Sequence, residues 1–111
     1  AGSKLIVVLG HSKCGALKGG LDAAAIHKTE MKNLSHLVGH FNPIIEEILQ
    51  EGEVRSSKNE DLLERLNVQN VKQTIEDIRK QSSTLNQMEK DGKIKIVGAN
   101  YNVETGAVSW L

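Results

Sequence analysis

Residues Lys4 to Leu9 (KLIVVL) constrain the fold more than any other stretch, because a short β-branched run that is apolar on both faces suits a buried parallel strand. A parallel neighbour is reached only through a crossover, usually helical, so helices are expected before the next strand. That second strand is expected at Lys93 to Val97 (KIKIV), with Ile94 and Ile96 on one face. Val103 to Val108 (VETGAV) then reads as a hairpin turn in which Gly106 supplies a positive φ. The fold class is therefore α/β: a parallel sheet core flanked by helices, with a hairpin near the carboxyl terminus. At 111 residues the chain holds a single domain over residues 1–111 at most.

Between the strands the apolar spacing is helical. Ala16 to about Ile26 is a small-residue helix whose Gly19 and Gly20 cost roughly 1 kcal/mol each relative to Ala, which points to close packing against another backbone. His27 to Asn33 is polar and reads as loop. Leu34, Leu37, Val38 and Phe41 share a helical face. Asn42 before Pro43 reads as an N-cap followed by proline at the first helical position, and that helix is expected to end near Gly52. Asn59 is placed to cap the strongest amphipathic stretch, which carries Leu62, Leu63, Leu66, Val71, Ile75 and Ile78. Its other face, with Glu76, Asp77, Arg79 and Lys80, reads as a solvated surface. Ser82 to Thr84 interrupts it, and a short helix through Leu85 and Met88 stops at Gly92.

Charge and composition remove several classes of partner. Fourteen Lys and Arg balance fourteen Asp and Glu, with no basic block, so the electrostatic grip used on nucleic acids and anionic membranes is missing. Phe41, Tyr101 and Trp110 are the only aromatic residues, too few for a base-stacking platform. The longest aliphatic run, Leu5 to Leu9, falls far short of the roughly 20 residues that span a bilayer. No nucleic-acid or membrane partner is expected. With no tripartite leader at its start, cytoplasm is the expected compartment. The sequence opens without Met and enters a strand within a few residues, like the middle of something longer.

Ligands in open α/β sheets bind beyond the carboxyl ends of the strands, which singles out Gly10 to Gly15 (GHSKCG). A phosphate-binding Walker loop needs Lys at Ala16, and a dinucleotide fingerprint needs Gly at Ser12. A thiol phosphatase loop needs Arg at Gly20, and a dithiol centre needs a second Cys in a chain that has one. His11 and Cys14 remain: an imidazole and a thiol three residues apart, able to aim at one zinc ion about 2.0 to 2.3 Å from each. On spacing alone the alternative stays open that His11 is an ordinary loop histidine and Cys14 a small buried hydrophobe. His36 and His40 have zincin spacing, but Leu37 stands where the general-base Glu belongs, so they read as surface histidines. No role falls to His27. Ser12 lacks an acid and base partner for nucleophilic chemistry and, like Lys13, reads as a solvated loop residue.

The stretch Lys4 to Gly20 (KLIVVLGHSKCGALKGG) resembles the zinc-binding strand and loop of the β-class carbonic anhydrases, in which a strand leads into Gly-His-x-x-Cys-Gly-Ala. Asn70 to Ile78 resembles that family's late helix, Leu85 to Val97 its short helix and following strand, and Gly98 to Leu111 (GANYNVETGAVSWL) its terminal Gly-x-x-Tyr-x-x-x-Thr-Gly hairpin. The resemblance covers essentially the whole chain and aligns it with the later part of such an enzyme. It implies zinc held by His11 and Cys14, and reversible hydration of carbon dioxide to bicarbonate. From its location after Cys14, Gly15 is expected to keep the loop tight and to leave room near the metal, as part of a substrate pocket. Tyr101 is implied either at a bicarbonate or interface pocket or, with more weight, in the hairpin core.

Members of that family take a further zinc ligand from an upstream Cys-x-Asp-x-Arg segment, whose Asp and Arg pair beside the metal. No such segment occurs here, so no catalytic Asp or Arg is assigned to this chain. Two expectations follow. Either the chain is a fragment whose missing upstream segment completes the site, or it is an inactive relative serving as an interaction or oligomerisation module. Both predict exposed apolar surface and a homo-oligomer, dimer or higher.

Overall fold

The computed structural model describes residues 2–22 and 32–111. The elements are β1 (Leu5–His11), α1 (Gly15–Leu21), α2 (Lys32–Gly39), α3 (Asn42–Ile48), α4 (Glu60–Gln81), α5 (Ser83–Lys90), β2 (Lys95–Tyr101) and β3 (Val108–Trp110). The expected continuation of the first helix to Ile26, and His27, lie outside the described residues. Two compact units form, one from residues 1–12 and 68–111 and the other from residues 13–67.

In the first unit the sheet order is β1-β2-β3. β1 runs parallel to β2 from Leu5 opposite Lys95 to His11 opposite Tyr101, and β3 returns antiparallel with Val108 opposite Tyr101. β2 starts two residues later than the sequence suggests, because the amides of Lys93 and Ile94 donate to the carbonyl of Met88 at the end of α5. Only at Lys95, whose amide donates to Lys4, does the ladder begin. Gly98 lets α4 approach the sheet: a Cβ there would lie 2.8 Å from Val71 Cγ1 and 3.2 Å from Ile75 Cδ1.

β1 departs from the expectation of a strand buried on both faces. Leu5, Val7 and Leu9 are 50%, 41% and 55% exposed. The reason is position. β1 is an edge strand among the described residues, and Val8 shares a face with its partner Gly98, the residue that α4 approaches. The alternate face of β1, with Leu5, Val7 and Leu9, is left open among the described residues.

α5 follows α4 after one extended residue, Ser82, whose hydroxyl accepts from the Leu85 amide. It ends as expected, with Gly92 at φ +71°. Arg79 is not simply solvated: it donates to both carboxylate oxygens of Glu89, at 2.7 and 3.0 Å, and to Glu76, tying α4 to α5.

The second unit buries Leu17, Leu21, Phe41, Ile44, Ile45, Leu62, Leu63 and Leu66 in one aliphatic cluster. Gly20 meets Phe41 closely, since a Cβ there would sit 3.0 Å from the ring; the close neighbour is a side chain rather than the backbone the sequence suggests. Asn59 caps α4, its Oδ1 accepting from the Leu62 amide at 3.2 Å. Asn42 does not cap α3. Phe41 holds that position, and Asn42 lies in the first turn with its Oδ1 accepting from Arg55 at 2.7 Å. Arg55 also donates to the carbonyls of Gly20 and Leu21 at the end of α1. α3 stops at Ile48, short of Gly52, because Leu49 turns extended and Arg65 donates to the Ile48 carbonyl at 2.9 Å. Arg65 pairs further with Glu53 and Asp61.

Two expected outcomes test this description. Gly98→Ala drives a methyl into β-branched Val71, which has one comfortable rotamer in a helix, so urea unfolding is expected to show a loss of about 1–3 kcal/mol. Unchanged stability would mean that α4 does not rest on β2. The hydrogen bonds from Arg79 hold the Glu89 carboxyl below its ordinary range. A carboxyl depressed in the folded state contributes stability above its unfolded pKa of about 4.3 and loses it as pH falls through the lower folded value. Between about pH 6 and 3, wild type should therefore lose thermal stability more steeply than Glu89→Gln. Equal slopes would remove Glu89 from the acid response.

Candidate functional site

Sequence spacing places Gly10 and His11 in the turn after the strand, yet both belong to β1, opposite Asn100 and Tyr101. The ladder is prolonged by one further bond, from the Ser12 amide to the Tyr101 carbonyl at 2.9 Å. His11 is consequently a strand residue with a fixed backbone and an exposed ring. Its Nδ1 lies 3.0 Å from the Ser12 carbonyl. A carbonyl only accepts, so Nδ1 carries the proton in this bond, and the lone pair of neutral His11 sits on Nε2.

Ser12 is not a solvated loop residue. Its Oγ accepts the Val103 amide at 2.9 Å, so the residue is held by both its backbone and its hydroxyl to the start of the β2–β3 hairpin. Asn102 organises that hairpin: its Oδ1 accepts from the amides of Glu104 and Thr105 at 2.9 and 3.2 Å, and its backbone exchanges bonds with Ala107 and Gly106. Gly106 adopts φ +75°, as its place in the turn predicts. Val103 to Gly106 (VETG) is a legible turn signal. The Ser12–Val103 bond spans 91 residues and carries none.

Cys14 belongs to the second unit, half-buried at the N-cap of α1 and packed against the aliphatic cluster. Its side chain makes no capping bond, so the thiol is not consumed by the helix end. The left-handed residue of the turn is Lys13, at φ +56°, rather than a glycine. Gly15 opens α1 in the exposed state, and a Cβ there would meet nothing within 4 Å. Tyr101 is 38% exposed at the end of β2, not enclosed in a hairpin core. His36 on α2 and His40 just beyond it are both exposed, and the His40 ring stands edge-on to Phe41. Among the described residues no three His, Cys, Asp or Glu side chains gather to hold a metal ion. His11 and Cys14 fit zinc in donor type, imidazole and thiolate, but not in number, since tetrahedral sites take at least three protein ligands.

A strand that delivers His-x-x-Cys into a helix start, followed by a long helix, a short helix and a parallel strand with a hairpin, is the arrangement to compare with known proteins. The family model described as carbonic anhydrase matches residues 1–108. The chain belongs to that family. Solved structures place it in the β class. The β-carbonic anhydrase CcaA superposes with a TM-score of 0.78 at 20% identity over 97% of this chain and 50% of its own. For the β-carbonic anhydrase CafA of the fungal pathogen Aspergillus fumigatus the values are 0.72, 26%, 97% and 48%. For a cysteine-to-alanine mutant of CafD from the same fungus they are 0.68, 18%, 97% and 57%. The chain thus spans about half the length of the structures it matches. Comparison with curated protein sequences finds no match. No helix among the described residues is long and apolar enough to cross a membrane.

Asn102→Ala should remove both bonds that the Asn102 Oδ1 accepts and raise amide hydrogen exchange at Glu104 and Thr105, with a loss of about 1–2 kcal/mol. Unaltered exchange at the two amides would show that the turn is held by its backbone alone.

Proposed function

We propose that this chain is the His-x-x-Cys half of a β-class carbonic anhydrase that catalyses zinc-dependent, reversible hydration of carbon dioxide to bicarbonate. The family match across residues 1–108, with an imidazole and an uncapped thiol at the carboxyl end of β1, carries this reading. His11 would bind zinc through Nε2, the nitrogen left without a proton by the Ser12 carbonyl, and Cys14 would bind as thiolate. A third protein ligand comes from residues outside this chain, as does the Asp and Arg pair that the family resemblance places beside the metal. When bound, zinc would lower the pKa of a coordinated water to about 7, so that hydroxide is available at neutral pH. Gly15, with open space where a side chain would stand, leaves room for carbon dioxide and bicarbonate.

A second reading is favoured by the open face of β1 together with the exposed Val108 and Trp110. In it, the chain is an inactive carbonic-anhydrase-like module that self-associates, as a dimer or higher homo-oligomer, through apolar surface. Elemental analysis of the purified protein, with no zinc added, separates the two. The enzyme reading expects about one zinc per chain and measurable carbon dioxide hydration, a site completed from outside the sequence given. Cys14→Ser should then lose the metal, whereas His36 and His40 replaced together by Ala should keep it. Full zinc in Cys14→Ser would overturn the ligand assignment. Near-zero zinc, with a native thiol that titrates fully with a maleimide, would leave the interaction module.

A further inference from the structure

We infer that Ser12 is a positioning residue that sets the tautomer and ring orientation of His11, and that the β2–β3 hairpin is what holds Ser12 in place. The inference rests on the zinc reading above for its purpose, but its geometry lies wholly within the first unit. Three hydrogen bonds form a relay: the Val103 amide donates to Ser12 Oγ, the Ser12 amide donates to the Tyr101 carbonyl, and His11 Nδ1 donates to the Ser12 carbonyl, all at 2.9–3.0 Å. The backbone of His11 is fixed by its pairing with Tyr101, which leaves only the ring torsions to be decided. An exposed imidazole in water favours the proton on Nε2, the wrong place for a ligand that coordinates through that nitrogen. The Ser12 carbonyl reverses this preference by accepting from Nδ1, the arrangement by which carbonyls and carboxylates orient histidine ligands. That carbonyl is correctly aimed only while Ser12 is pinned on its other two sides. Lys13, next along the chain, sits in the left-handed region at φ +56°, so the turn leaves the ladder abruptly and does not itself extend the strand that would hold Ser12.

The test is nitrogen-resolved NMR of the His11 ring in the full, metal-free chain at about pH 8, where an ordinary imidazole is neutral. Wild type is expected to hold the proton mainly on Nδ1. Ser12→Ala deletes the acceptor and Val103→Pro deletes the donor of the same bond, so either should shift the tautomer ratio toward Nε2–H by roughly threefold to tenfold, the scale of one ordinary hydrogen bond. Ser12→Thr, which keeps the hydroxyl, should restore the wild-type ratio. A role confined to bracing the hairpin would raise amide exchange at Val103 without moving the ratio, and that result overturns the proposal. Should one variant fail to fold, the other interrogates the same bond. Chelator competition for zinc separates this idea from the reading beneath it. Loss of zinc in His11→Ala with an about tenfold weaker affinity in Ser12→Ala supports both. Wild-type affinity in His11→Ala overturns the zinc reading, whereas a wild-type tautomer ratio in Ser12→Ala overturns the role of Ser12.

Discussion

The parallel pairing of β1 with β2 is the interaction on which the remainder depends. It joins segments separated in sequence by all the described helices, so it closes a long loop and carries the corresponding entropic cost. Once formed, the pairing fixes register, and register decides chemistry. His11 falls opposite Tyr101, Ser12 reaches the Tyr101 carbonyl, and the hairpin that begins at Asn102 comes within reach of the Ser12 hydroxyl. A slip of one residue would turn His11 to the other face of the sheet and replace Ser12 as the partner of the hairpin.

Each unit combines a close approach at a glycine with an arginine that bridges several acceptors. Around β2 the approach is Gly98 under Val71 and Ile75, and Arg79 ties the two helices that follow one another there. Around α1 the approach is Gly20 against Phe41, and Arg55 gathers the last carbonyls of α1 together with Asn42. Neither arginine is a lone surface charge. Both are spread over several acceptors, the geometry in which a planar five-donor group outperforms lysine.

The local signals in the sequence were legible where the physics is local. Asn59 caps the helix that follows it, and Gly92 and Gly106 take the positive φ their places require, because caps and turns are settled within four residues. Three departures trace to the surroundings in the fold rather than to local sequence. Asn42 forgoes capping because Arg55 claims its oxygen. The apolar run of β1 reads as doubly buried because composition carries no information about sheet order, and an edge strand looks the same as a central one. Gly10 and His11 look like turn residues until Asn100 and Tyr101 pair with them. His-x-x-Cys was visible from spacing, whereas Ser12, between the two, gave no sign of its bond to Val103.

The two candidate zinc donors are fixed by different physics, and that has a consequence for how the site responds to change. His11 is held by ladder hydrogen bonds and by Ser12, so its direction is a property of the sheet and hairpin. Cys14 is held by the packing of α1, with Leu17 and Leu21 buried beside Phe41, Leu62 and Leu66 in the aliphatic cluster. A cavity made at Leu17 or Leu21 therefore loosens the thiol and leaves the imidazole in place. A lost bond at Ser12 or Asn102 does the reverse.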